Sequence, residues 1–210
     1  DEDLKDFFHI QHLALDVDDF VNVIRHVKNL PTELKEVKIS EVYRRVLEFI
    51  KKRIVLPTEE DYVLTAVWTI ASYFYPVFDY FPYFAPQKMG FNSGGTQLLM
   101  TLQKLLPRAT FVHNTSSAVI YRAVANYGAS FLIDEFREDS GNKETFEAVY
   151  QMLLGCFHRD SYVARATGKG EIETFECFSP KAVVDQSLVT SAYDIASRTV
   201  FIRIVPVYDR

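Results

Sequence analysis

The chain is 210 residues long, enough for one large domain or for a domain with a small appendage. Its apolar share of 48% and charged share of 24% are ordinary for a soluble globular protein. A net charge of −5 excludes the overall positive field of a DNA-coating protein, so any meeting with nucleic acid needs a local patch or a place in an assembly.

Residues 1–38 alternate charged and apolar positions at helical spacing. Leu13, Leu15, Phe20, Val21, Val23 and Ile24 predict one amphipathic helix, with a turn near Leu30-Pro31-Thr32. The acidic, polar start carries no secretory signal pattern. Ile39–Lys52 reads as a second helix, with Val42, Val46, Leu47, Phe49 and Ile50 near one face and Arg44, Arg45, Lys51 and Lys52 on the other. Thr58 is an N-cap for a third helix, its first-turn acids matching the helix dipole, and Pro76 stops it. Tyr62–Phe84 is the most apolar stretch. It is interrupted by Pro76, Asp79 and Pro82, and its helical part is shorter than the roughly 18 residues of a membrane span, which predicts no membrane partner.

From there short strands alternate with helices, the pattern of a parallel sheet built from βαβ units. Strands are expected at Tyr83–Ala85, Ala109–Val112, Ala129–Ile133, Phe175–Phe178 and Thr199–Val205. Helices are expected at Thr96–Leu106, Ser117–Tyr127, Lys143–Gly155 and Ser191–Ser197. The expected fold is α/β with a five-stranded parallel sheet over 81–210, preceded by a helical layer or lobe over 1–80. Cys156 and Cys177 lack CxxC spacing and histidine partners, and read as two buried thiols of a reducing cytosol, hence a cytoplasmic protein.

Two segments carry chemistry. The apolar strand Ala129-Ser130-Phe131-Leu132-Ile133 ends in Asp134-Glu135. In phosphate-loop ATPases such a strand places an aspartate where it holds Mg²⁺, and the next acid orients or deprotonates the attacking water. Upstream, Met89-Gly90-Phe91-Asn92-Ser93-Gly94-Gly95-Thr96 lies between a strand and a helix, where backbone N–H groups cradle phosphates. Against the pattern G-x-x-x-x-G-K-[ST], Gly94 and Thr96 match, and Gly95 stands in the lysine's place. Lys88, just before the loop, is a secondary candidate for the missing charge. His113–Ser117 reads as a helix cap. The spacing of the two segments leaves room for one extra strand between them, and both fall at carboxyl ends of strands, the usual ligand crevice of an open α/β sheet.

In this arrangement the chain resembles the P-loop ATPases of phages, plasmids and other mobile elements, often fused to primases or helicases. The similarity is carried by Ile54–Pro57, Thr65–Trp68, Phe78–Tyr83, Ser93-Gly94-Gly95-Thr96, Phe131–Glu135, Leu153-Leu154-Gly155 with Val163-Ala164-Arg165, Phe178–Ala182 and Asp194–Val200, over about residues 50 to 205. The resemblance implies an AAA+/RecA-like core with ATP and Mg²⁺ as ligands. Gly90, Ser93, Gly94, Gly95 and Thr96 would bind nucleotide, and Thr96 and Asp134 would hold the metal. Glu135 would activate water, Ser179 or Lys181 would sense the γ-phosphate, and Arg198 would reach a neighbouring subunit's nucleotide. It also implies a homo-oligomer or a subunit of a replication complex, acting on DNA through a ring. The C-terminal helical lid usual in AAA+ proteins is expected to be missing after Val205. Gly95 sets the alternative: an ATPase fold without catalysis, serving as a structural or regulatory subunit.

Overall fold

Val46 and Ile50 lie one turn apart on helix α1 (Ile39–Lys51), and both are buried. In the computed structural model, which describes residues 38–90, 93–112, 122–125, 128–134, 143–166, 172–184 and 193–206, this face packs inward. The opposite face carries Arg44 bonded to Glu48 at 2.8 Å and Arg45 to Glu41 at 2.7 Å, with Lys51 on Glu59 of the following helix. Arg44, Arg45 and Lys51 are thus each paired with an acid. Helix α2 (Glu59–Ala71) begins at Thr58, whose Oγ1 accepts from the Asp61 N–H at 3.2 Å. It stops short of Pro76, which sits instead in a 3₁₀ turn over Tyr75–Val77.

Strands β1 (Tyr83–Lys88), β2 (Thr110–Val112), β3 (Phe131–Ile133), β6 (Lys181–Val183) and β7 (Thr199–Ile204) form one five-stranded sheet in the order β2-β3-β6-β1-β7. All its pairings are parallel. The α/β class and the parallel sheet are as expected, but one strand is not. The segment Phe175–Phe178 does not join the sheet. Residues Ile172–Glu176 form β5, paired antiparallel with β4 (Tyr162–Ala166) as a separate hairpin. The sheet takes Lys181–Val183 instead.

Side chains alternate across the sheet, as the pleat requires. Phe84, Leu132, Ala182, Ile202 and Ile204 face one core, which they share with α1, α2 and α3 (Gly95–Gln103). Tyr83, Ala85, Phe131, Ile133 and Val183 face a second core with α4 (Lys143–Gly155) and Ile195 of the short α5 (Tyr193–Ala196). Trp68 of α2 ties the first layer down. Its ring stacks on Phe84 at 5.0 Å, and its Nε1 donates to the Pro82 carbonyl at 2.8 Å. The helices of residues 39–71 are therefore a layer on the sheet and share its core; the helix expected at 13–24 lies outside the described residues. No helix among the described residues is long and apolar enough to cross a membrane.

Cys156 and Cys177 are joined in a disulfide, with Cα atoms 5.2 Å apart. The expectation of two free thiols is corrected: the hairpin folds back and brings the end of α4 against the end of β5, a proximity the sequence spacing does not reveal. Because disulfides persist mainly in oxidising compartments, cysteine usage no longer argues for a cytoplasmic location.

Candidate functional site

A parallel sheet gathers all its carboxyl ends on one edge. Here that edge holds Lys88, Val112, Asp134, Val184 and Ile204. After the loop that follows β1, Ser93 is buried and α3 begins at Gly95. Its N-cap, Gly94, has φ +86°, a left-handed conformation in which a side chain would be strained. Among the described residues no side chain caps the helix. The first-turn N–H groups of an α-helix have no acceptor within the helix, and they form the positive end of its dipole.

Thr96, in that first turn, lies 38 positions before Asp134, yet its Oγ1 donates to Asp134 Oδ2 at 2.6 Å. This short, charge-assisted bond joins the start of α3 to the end of β3 across the intervening strand β6. Lys88 Nζ stands 3.8 Å from the other carboxylate oxygen, with the lysine side chain 14% exposed and the aspartate 9%. Ser93 is buried, and its hydroxyl has no hydrogen-bond partner among the described residues. The edge thus collects an ammonium, a carboxylate, a hydroxyl and a helix N-terminus.

Gly95 explains how these fit together. A Cβ built there would stand 2.6 Å from Lys88 Cε and 2.7 Å from Val184 Cγ1, both far inside contact distance. The stem of Lys88 occupies the space that a side chain at 95 would need. Val184, which completes this packing, was not singled out in the sequence, because an apolar residue after a strand reads only as core.

The donors suit a small hard cation that also sees phosphate. Thr96 and Asp134 offer hard oxygens, and Mg²⁺ is commonly held by one or two carboxylates together with substrate phosphates and water. Among the described residues no group of three or more His, Cys, Asp or Glu could enclose a metal on its own. Gly90 lies on the described part of the loop, with Pro206 Cγ 3.2 Å from a Cβ built on it. Glu135 and the segment 113–117 lie outside the described residues.

The expected sensor and finger residues are elsewhere. Ser179 and Lys181 sit at the amino end of β6, where the Phe131 N–H bonds the Pro180 carbonyl. A γ-phosphate sensor needs a place at the carboxyl edge, and a strand that begins at Lys181 puts both residues on the opposite edge. Lys181 is fully buried. Its Nζ donates to the carbonyls of Cys177 (2.9 Å), Ser179 (2.9 Å) and Cys156 (3.2 Å) and to Ser179 Oγ (3.3 Å). Burial lowers its pKa to about 7. Arg198 precedes β7 on the same edge. Its Nη1 donates to the Leu154 carbonyl at 2.6 Å, in the last turn of α4, and its guanidinium lies 3.7 Å from the centre of the Phe157 ring. It closes a helix end within the chain, so its role as a finger for a neighbour is not supported. Compared with models of known protein families and with curated proteins, the chain matches none.

Proposed function

We propose that the carboxyl-edge site binds a nucleoside triphosphate with Mg²⁺ in the manner of P-loop ATPases, ATP being the nucleotide the sequence resemblance implies. The observation that carries the reading is the Thr96–Asp134 hydrogen bond, which joins a helix N-terminus behind a glycine loop to the acid at the end of β3. The strand order supports it: one strand, β6, lies between the loop-bearing β1 and the acid-bearing β3, as in the AAA+ and RecA-like branch. The α3 N-terminus binds phosphate oxygens through its N–H groups, and Thr96 Oγ1 and Asp134 supply the protein ligands of the cation. When bound, Mg²⁺ neutralises charge on the phosphates. Asp134, already held by Thr96, would need little reorganisation to receive the cation. Glu135, next in the chain, is the proposed base for hydrolysis. Action on DNA in replication of a mobile element, within an oligomer or larger complex, and a cytoplasmic setting enter the proposal through the sequence resemblance alone.

The test is calorimetric titration of the parent protein with ATP, with and without Mg²⁺, beside Thr96→Ala and Asp134→Asn. Binding that depends on Mg²⁺ in the parent and loses that dependence in both variants is expected; a parent that binds no ATP would sink the reading. The rival, an ATPase fold without catalysis that serves as a structural or regulatory subunit, is favoured by the bare position 95. It predicts binding without phosphate release, or neither.

A further inference from the structure

We infer that Lys88 is the cation that meets the phosphate chain of the bound nucleotide, reaching it from the end of β1 in place of the helix lysine that Gly95 lacks. The inference rests on the proposed nucleotide site and names the residue that gives it affinity for a triphosphate.

Three observations converge on it. Lys88 is the last residue of β1, with its backbone in register with Ile204 and the next N–H, that of Met89, bonded to the Ile204 carbonyl at 3.0 Å. Its root is therefore fixed at the carboxyl edge. Its Cε then lies 2.6 Å from the point where a Cβ of Gly95 would be, so the ammonium, one C–N bond of about 1.5 Å further on, is beside the first turn of α3. Last, Nζ is 3.8 Å from Asp134 Oδ1, and Asp134 Oδ2 takes the Thr96 hydroxyl. A charge at this spot adjoins both the phosphate-binding N–H groups and the cation-holding pair.

The ion pair alone is a weak account of why a lysine should stand there. At 3.8 Å the pair has contact without a direct hydrogen bond, and both groups have lost most of their water. A phosphate oxygen entering the site would give the ammonium a charge-assisted partner. Gly95 and Lys88 are thus one solution to one packing problem. A side chain at 95 would meet Val184 and the end of Lys88 as they stand, so the cation of the site comes from the strand.

The experiment uses Lys88→Met, which keeps the stem and removes the charge, and Lys88→Gln, which keeps a polar end. Both are titrated with Mg·ATP, with inorganic tripolyphosphate and with AMP, beside the parent and Thr96→Ala, and their melting temperatures are recorded. Both variants are expected to bind Mg·ATP and tripolyphosphate about ten- to a hundredfold more weakly than the parent, with AMP affinity unchanged. If the parent binds ATP, Thr96→Ala weakens that binding, and both Lys88 variants bind as the parent does, the inference on Lys88 is wrong and the site stands. If both variants lose AMP and ATP alike, or neither folds, Lys88 is a structural residue and the inference is equally wrong. If the parent binds neither ATP nor tripolyphosphate, the nucleotide site itself is overturned.

Discussion

At position 95 two physical effects compete, and distances decide between them. Alanine is a better helix former than glycine by about 1 kcal/mol, which alone predicts that Gly95→Ala is stabilising. The added Cβ, however, would meet Lys88 Cε at 2.6 Å and Val184 Cγ1 at 2.7 Å. The lysine end can swing away, but Val184 follows directly on β6 and cannot. Overpacking of this kind costs about 1–3 kcal/mol, so Gly95→Ala is expected to lower stability in urea unfolding. Adding Lys88→Ala should recover part of that loss, a coupling read from a double-mutant cycle. An unchanged or raised midpoint for Gly95→Ala would show that the space is not closed. Arg198 poses a different question, since its sequence position suggested a trans-acting role. Its hydrogen bond to Leu154 and its stacking on Phe157 make it a local clamp. Arg198→Ala should cost about 1–3 kcal/mol of stability and leave nucleotide affinity unchanged, as unfolding and titration on one sample will report. A lost affinity at intact stability would restore the finger.

Among the elements, α4 has the bounds that the sequence predicts, α1 nearly so, and α2 the predicted start at Thr58 but an end at Ala71, short of Pro76, because helical periodicity and N-caps are local signals. The loop and the Asp134 strand end were legible for the same reason. What the sequence hid was β6. Its first residue is a lysine, which reads as polar surface, whereas Phe175–Phe178 reads as buried strand. Only the tertiary structure shows that Lys181 is buried among carbonyls and that the aromatic segment begins inside the hairpin strand β5. With the strand starting at Lys181, Ser179 and Lys181 stand at the amino edge of the sheet, away from Thr96 and Asp134. The disulfide was hidden for a similar reason, because its half-cystines meet only once the hairpin is formed. It closes a loop of sequence separation 21, for which chain entropy predicts about 3 kcal/mol of stabilisation. Thermal unfolding with and without a thiol reductant is expected to show a clearly lower midpoint in the reduced protein, and the same drop in Cys156→Ala with Cys177→Ala. Equal midpoints would mean the hairpin is held by packing alone.

Across the whole molecule the sheet divides labour between its edges. The carboxyl edge gathers the proposed ligand groups, while the amino edge gathers Lys181, Arg198 and the disulfide, which hold α4, the hairpin and the sheet together. Lys181 makes global stability depend on pH, and the sign follows from its two pKa values. Burial lowers the folded-state value to about 7 from the ordinary 10.5. Between these values the unfolded chain carries a proton that the folded chain lacks, so stability rises with pH; below about pH 7 both forms are protonated and the slope vanishes. The surrounding carbonyls and the Tyr83 ring, 5.7 Å from Nζ, favour the ammonium, which makes about 1.4 kcal/mol per pH unit an upper bound on the slope. Above about pH 10 the trend reverses, because burial raises the pKa values of Tyr73 and Tyr83 and the unfolded chain ionises them first. Urea unfolding from about pH 7 to about pH 9.5 should therefore show stability increasing in the parent protein, with a flatter profile in Lys181→Met whatever its absolute stability. Parallel profiles for the two proteins would show that the four acceptors keep Lys181 charged throughout, and that its role is to bind the carbonyls of the disulfide-bonded edge as a permanent cation.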